Sequence, residues 1–271
     1  MAGKMFLDSA IADEVKRALD EKLVTGVTTN PSLIAKTPKG DSSLPFIDRY
    51  LSHMKCLADI CSKYRMQDGD FPSLSVEVFS LYPEEMISQG RQISRAIDYR
   101  NLAIKVPISF RRVNYLPVIE ALSNEGIAVN CTCCFNAEQM NAAAAKGARF
   151  VSLFYRRLKD HMEKTYGLSS DGAEAEALGV LREVSDFINT NSLQSKIIAG
   201  SIREPSDILN CWTNGADFPT ASYKLVSTDL VPYIGKPVLG TSSNKESGLF
   251  HPQTDASVEG FDKDLKAWFS S

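Results

Sequence analysis

Eight short, mostly apolar segments recur along this chain, and stretches with helical spacing lie between them. The apolar segments cover residues 4–9, 24–29, 74–79, 102–107, 128–134, 149–154, 196–202 and 218–222, each of strand length. Intervening stretches such as 12–19, 116–123, 137–146 and 173–188 place apolar residues three and four apart, the period of a helix with one buried face. Alternation of this kind builds parallel strands joined by crossover helices. Eight such units favour closure over an open sheet, so the expected fold is α/β, a single (β/α)8 TIM barrel with a short C-terminal helical extension. With 271 residues and 44% hydrophobic content, the chain can fill one large core as a single domain over residues 1–271. The eighth segment is the poorest strand, because Asp217-Phe-Pro-Thr-Ala-Ser222 holds Pro219 and little β-branched bulk. The extension covers about 224–271, and its residues 258–269 read as an amphipathic helix. Leu265, Trp268 and Phe269 are placed there to pack on the barrel or on a neighbouring subunit. Residues 37–44, 66–73 and 242–255 read as loops.

A formal net charge of −3 offers no global attraction to nucleic acid or to an anionic membrane, so any anion must be held by a few placed arginines. No apolar run approaches the roughly 20 residues that span a bilayer, and the N-terminus shows no apolar signal region, so a soluble, cytoplasmic protein is expected. The six cysteines show no framework spacing, in keeping with a reducing compartment. Cys131, Cys133 and Cys134 fall on one strand, where alternation sends the first two to one face and the third to the other. None of His53, His161 and His251 stands at a metal-site spacing from them, so small structural hydrophobes and no metal are expected.

One lysine interrupts the fourth segment, Leu102-Ala-Ile-Lys-Val-Pro-Ile108. Keeping an ammonium charged on a strand buried on both faces costs several kcal/mol, so such a lysine tends to shed its proton and become a nucleophilic amine suited to imine chemistry on a carbonyl. Two structural readings stand beside this: the side chain reaches solvent past Pro107, or it forms a buried ion pair, with Glu77 as a nearby partner. In a barrel every second strand residue points inward, and the active site lies at the C-terminal strand ends. That register turns inward Asp8, Thr28 and Asn30, Ser75 and Glu77, Lys105, Asn130 and Thr132, Ser152 and Phe154, then Ser201 and Arg203. So many polar groups at one end would leave a poor core unless they line a pocket. Retro-aldol cleavage of a ketose through a lysine imine needs a base for the C4 hydroxyl, a proton relay, donors for sugar hydroxyls and a cation for a phosphate. Asp8 and Glu77 supply carboxylates; Asn30, Asn130 and Thr132 supply amides and a hydroxyl; Arg157 and Arg203 supply bidentate anion recognition. Asp8 also suits a plain role as a helix cap.

These residues resemble the transaldolase family. The matching segments are Phe6-Leu-Asp-Ser-Ala10, Gly26-Val-Thr-Thr-Asn-Pro-Ser-Leu33, Ser75-Val-Glu-Val78, Ala103-Ile-Lys-Val-Pro107, Asn130-Cys-Thr132 followed by Phe135-Asn-Ala-Glu-Gln139, Val151-Ser-Leu-Phe154 with Arg157 and Asp160, and Ala199-Gly-Ser-Ile-Arg203. The resemblance implies a class I barrel that uses neither metal nor cofactor, in which Lys105 forms the imine and Asp8 is the acid/base at C4. It implies that Glu77 and Thr132 hold the catalytic water, and that Asn30 and Asn130 contact substrate hydroxyls or the lysine's surroundings. Arg157, Ser201 and Arg203 would bind phosphate, Ser152 and Phe154 would shape the pocket, and Ser75 joins the substrate-binding set. A dihydroxyacetone unit would pass from a phosphorylated ketose donor to an aldose acceptor, in pentose phosphate chemistry and in a homo-oligomer.

The short N-terminus is similar to the compact branch that also contains fructose-6-phosphate aldolases, so a lyase of that type is the alternative, as is a transaldolase for an unusual phosphorylated or sulfonated sugar. Those aldolases tend to carry Tyr where Phe154 stands and Gln where Glu77 stands, which favours transfer here. A one-residue register slip would bring the Tyr155 hydroxyl inward instead. Arg111, Arg112 and Arg156 depart from the family pattern, and they read either as a recognition site for a second anion or as a solvated surface cluster.

Overall fold

The computed structural model describes residues 4–38, 43–228 and 246–269. Strands β1 (Phe6–Asp8), β2 (Gly26–Thr28), β3 (Ser73–Glu77) and β4 (Leu102–Pro107) are followed by a small antiparallel hairpin, β5 (Ser109–Phe110) and β6 (Val113–Asn114). After it come β7 (Val129–Cys134), β8 (Phe150–Leu153), β9 (Lys196–Ala199) and β10 (Phe218–Ala221). Apart from the hairpin, the strands pair in parallel and close into an eight-stranded barrel in chain order. All eight expected strands are present, including the Pro219-bearing last one, and the fold is a (β/α)8 TIM barrel.

Helices α1 (Ala12–Asp20), α2 (Pro31–Ile34), α3 (Phe46–Cys61), α4 (Pro83–Ile97), α5 (Leu116–Asn124), α6 (Ala137–Ala145), α7 (Tyr155–Tyr166), α8 (Ser170–Thr190), α9 (Pro205–Thr213) and α10 (Tyr223–Val226) lie between and after the strands, and α11 (Pro252–Phe269) ends the described chain. Proline opens α2, α4, α5 and α9 in the first turn, where its missing N–H leaves no bond unmade. No helix among the described residues is long and apolar enough to cross a membrane.

The lower half of the barrel is filled by aromatic rings. Phe6 stacks on Phe218 at 4.4 Å and meets Phe150 edge-on at 5.8 Å, with Ala103 and Ile198 completing the layer. This floor dictates a glycine on β2, since a Cβ on Gly26 would stand 2.6 Å from the Phe6 ring. Above the floor the register turns polar. Asp8 lies opposite Thr28, Thr28 opposite Ser75, Glu77 opposite Lys105, and Lys105 opposite Asn130.

Helix α11 packs on the barrel of its own chain. Thr254 Oγ1 donates to the Cys133 carbonyl at 2.8 Å, Ser32 bonds Asp264, and the Trp268 indole donates to the Thr37 carbonyl at 3.4 Å. The helix starts at Pro252, so residues 252–255, expected as loop, are helical; proline's fixed φ suits a first turn. Residues 229–245 of the expected extension and 39–42 of the first expected loop lie outside the described residues.

Candidate active site

A cavity of about 90 Å³ opens at the C-terminal ends of the strands. Asp8, Thr28, Asn30, Lys105, Asn130, Thr132, Ser152, Phe154, Arg157 and Ser201 line it, all expected from sequence, together with Ile198, Gly200, Thr220 and Phe261. Three expected residues are not on its wall: Ser75, Glu77 and Arg203.

Lys105 is 5% exposed and Glu77 4%, so the lysine does not reach solvent. Its Nζ donates to the Thr29 carbonyl at 2.7 Å and stands 3.1 Å from Glu77 Oε2. Of the expected alternatives, a buried pair or a free amine, the structure pairs the lysine with a carboxylate whose own state is unusual. Burial pushes the Glu77 carboxyl above the ordinary range, opposed by the Lys105 charge. Burial likewise pushes Asp8 up, opposed by Lys105 and by a 3.0 Å hydrogen bond from the Thr28 hydroxyl. Asp8 is not a helix cap: Ile11 holds that position in α1, and Ser9 Oγ accepts its backbone N–H at 3.1 Å. Thr132 Oγ1 is buried with no hydrogen-bond partner, and Glu77 Oε2 faces only the Lys105 ammonium.

The amide of Asn130 is held at both ends, which leaves its second N–H for the cavity: Nδ2 donates to Ser75 Oγ at 3.1 Å, and Oδ1 accepts from Ser152 Oγ at 2.6 Å. Ser75 therefore acts behind the wall, holding Asn130. Asn30 caps α2, its Oδ1 accepting from Leu33 N–H at 3.0 Å, which leaves its Nδ2 as the donor for the cavity.

Cationic groups at the mouth are not equivalent. Arg157 lies over the Phe154 and Phe261 rings, 4.9 and 5.7 Å from their centres, and donates from Nη1 to Ser257 Oγ at 2.9 Å. Arg203 has a half-exposed side chain that pairs with Asp160 at 2.7 Å outside the cavity wall, so the expected pairing of Arg157 with Arg203 around one anion is not formed in this structure. Ser201 has a left-handed backbone (φ 63°) in the turn after β9. That turn is tied down by Asp207 Oδ2, which accepts from the Arg203 and Glu204 N–H groups at 3.2 and 3.1 Å.

Of the three arginines left open between a second anion site and a surface cluster, two are already paired with acids. Arg156 is enclosed by Glu204, Asp207 and Asp160 at 3.1, 3.3 and 3.7 Å. Arg111 pairs with Glu259 at 2.9 Å, and its N–H donates to Asp255. It joins Arg112 as the left-handed pair (φ 44° and 65°) that turns the β5–β6 hairpin. The Tyr155 hydroxyl points away to Glu174 at 3.3 Å, so Phe154 is the ring that faces the cavity.

The expected cysteine alternation is also corrected. Cys133 has a left-handed backbone (φ 59°), and the β7–β8 register shifts between Cys131 and Cys134. A bulge of one residue reverses the pleat, so the Cys131 and Cys134 sulfurs come within 3.7 Å of each other. Burial pushes the Cys133 and Cys134 thiols well up, which keeps them inert.

One cluster escaped the sequence reading. His161, Glu246 and His251 bring potential metal-ligand atoms within 4.8 Å of one another. A histidine that ligates through Nε2 carries its proton on Nδ1 and donates it. Here Nδ1 of His251 accepts from the Gln253 N–H at 3.1 Å, which puts the proton on Nε2, facing Glu246. The donor set therefore fits a carboxylate that accepts from two imidazoles and from Tyr166 (2.7 Å) better than it fits a metal centre. Burial pushes Glu246 up, but the hydrogen bonds from Tyr166 and His161 and the nearby His251 outweigh it and bring its carboxyl below the ordinary range. The result is a clasp that fastens α7 to the start of α11, with His251 stacked on Phe135 at 5.0 Å.

The profile of the family described as Transaldolase/Fructose-6-phosphate aldolase matches residues 5–269. The chain belongs to this family. A protein named probable transaldolase from Brachyspira hyodysenteriae is 32% identical over 266 residues, covering 98% of this chain and 99% of its own length. Another of the same name from Clostridium acetobutylicum is 30% identical over 267 residues, covering 98% and 99%. Among solved structures, thiamine phosphate pyrophosphorylase from Pyrococcus furiosus is similar with a TM-score of 0.52 at 11% identity, covering 98% of this chain and 96% of that one. That likeness is one of barrel fold alone.

Proposed function

We propose that this member of the transaldolase family is a transaldolase that carries a dihydroxyacetone unit between phosphorylated sugars as an imine on Lys105. The observation that carries the reading is an enclosed lysine amine 3.1 Å from one buried, raised carboxyl and sharing its cavity with another. A carboxyl held above its ordinary range can accept the proton that a nucleophilic amine must give up, so Glu77 prepares Lys105 for attack on the ketose C2 carbonyl. The unpartnered Thr132 Oγ1 and the Glu77 carboxyl beside Lys105 suit a water that shuttles protons during dehydration to the imine and during its hydrolysis. Asp8 then takes the C4 hydroxyl proton as the C3–C4 bond breaks, and returns a proton when the acceptor aldose adds. Asn30 and Asn130 hold substrate hydroxyls, Ser152 and Phe154 shape the wall, and Arg157 with Ser201 takes the phosphate. Arg203 joins them by exchanging Asp160 for the incoming anion.

Phe154 supports transfer over lyase activity, because a phenyl ring offers no hydrogen bond to a water that would release the three-carbon unit. A single domain, a cytoplasmic homo-oligomer and a place in pentose phosphate interconversion complete the proposal. The test is release of glyceraldehyde 3-phosphate from fructose 6-phosphate with and without an acceptor aldose. Turnover that requires the acceptor supports a transaldolase, and equal release without one supports the lyase.

A further inference from the structure

We infer that Thr220 is a positioning residue: acting through Thr28, it directs a hydroxyl proton onto Asp8 and so sets the pH above which Asp8 can serve as the base at C4. The inference rests on the proposed role of Asp8 and deepens it.

Thr28 Oγ1 has three neighbours: Asp8 Oδ1 at 3.0 Å, Thr220 Oγ1 at 2.8 Å and the Leu7 carbonyl at 3.4 Å. A hydroxyl has one proton to give. The carboxylate is the strongest acceptor of the three, so the proton goes to Asp8 when that group is ionised. Thr28 then cannot also donate to Thr220. The 2.8 Å contact is made only if Thr220 is the donor, which fixes the chain of hydroxyls in one direction, from Thr220 to Thr28 to Asp8. A donor seated on Thr28 polarises its hydroxyl and keeps the proton from swinging toward the Leu7 carbonyl.

The fold presets this arrangement. Strand β1 runs between β2 and β10; Thr28 pairs in register with Asp8, and Thr220 pairs with Phe6, one inward step below. Both threonines are buried and β-branched, so their side-chain rotamers are stiff. They fill the layer between the aromatic floor and the acid. The second oxygen of Asp8 makes no hydrogen bond among the described residues, and Asp8 lines the cavity, so that oxygen is left for substrate.

In the cleavage step the O4–H proton passes to Asp8, the C3–C4 electron pair flows into the Lys105 iminium to give an enamine, and C4 becomes an aldehyde carbonyl. Asp8 must be ionised to begin. Burial works against that; the Lys105 charge works for it, followed by the charge-assisted bond from Thr28 and the charges of Arg157 and Lys36, while the Glu77 carboxyl is the acidic group that also faces Asp8.

The experiment compares the wild-type enzyme with Thr220→Val, which keeps the shape and removes the hydroxyl, and Thr220→Ser, which restores it. The readouts are the acid limb of kcat/KM for transfer from fructose 6-phosphate, and borohydride trapping of that sugar on Lys105. For Thr220→Val the limb should move to higher pH by about one unit while trapping is retained. Thr220→Ser should return the limb to its wild-type position. If Thr220→Val does not fold, Thr220→Ala takes its place with the same expectation. An unmoved limb in a variant that still traps substrate, a change confined to KM, or failure of serine to restore the limb overturns the role of Thr220 and leaves the imine mechanism standing. A wild-type enzyme that traps nothing overturns the mechanism and this role together.

Discussion

Replacing Lys105 by Met should destabilise the protein in a manner that depends on pH. The lysine and Glu77 are buried and 3.1 Å apart, and removing one member of such a pair costs about 3–5 kcal/mol when the remaining charge has no relief. Glu77 has relief, because burial already pushes its carboxyl above the ordinary carboxylate range. Without the opposing lysine it rises further. Between the unfolded and folded values the folded variant binds more protons than the unfolded chain, so its stability falls as pH rises, by up to about 1.4 kcal/mol per unit, until the folded carboxyl ionises. Urea unfolding near pH 5 should therefore place Lys105→Met close to the wild type. At pH 8 it should lie lower by about 3 kcal/mol, the lower end of the cost of a broken buried pair. The double variant Lys105→Met/Glu77→Gln should lose this pH dependence. A Lys105→Met deficit of equal size at both pH values would refute the claim that Glu77 is poised to take a proton.

Asp8→Asn should lower transfer activity by about 10²–10⁴-fold, the usual worth of a positioned acid or base, while borohydride still traps substrate on Lys105; loss of trapping would place Asp8 in imine formation instead. Arg157→Leu should raise KM for a phosphorylated ketose by about 10–100-fold, the worth of a hydrogen bond to a charged group, with little effect on an unphosphorylated one. Equal effects on both would remove Arg157 from the phosphate site. Gly26→Ala, whose new Cβ meets the Phe6 ring, should cost about 1–3 kcal/mol in denaturant unfolding, and a neutral result would show that the aromatic floor yields more than its stacking suggests.

The barrel was legible because its strands are short apolar runs set off by helical periodicity, and the inward polar register followed from the pleat. The β5–β6 hairpin was not, because strands of two residues carry no period. Thr220 stayed hidden behind Pro219, which made the last strand look weak; Phe261 and Ser257 lie on a helix whose docking face was read from Leu265, Trp268 and Phe269. The cysteine pattern failed at Cys133, where a non-glycine residue takes a left-handed backbone that composition does not announce. Arginine roles failed for a different reason. Arg111 finds Glu259 148 residues away, and Arg156 finds Glu204 48 residues away, and nothing local in the sequence foretells either partner.

The central claim is that the Lys105 amine attacks a ketose carbonyl. Borohydride reduction in the presence of fructose 6-phosphate, followed by peptide mass mapping, tests it most directly. One sugar-derived or three-carbon adduct is expected on the peptide that carries Lys105, absent from Lys105→Met. An enzyme that turns over the sugar while Lys105 stays unmodified, or an adduct on another lysine, would contradict it.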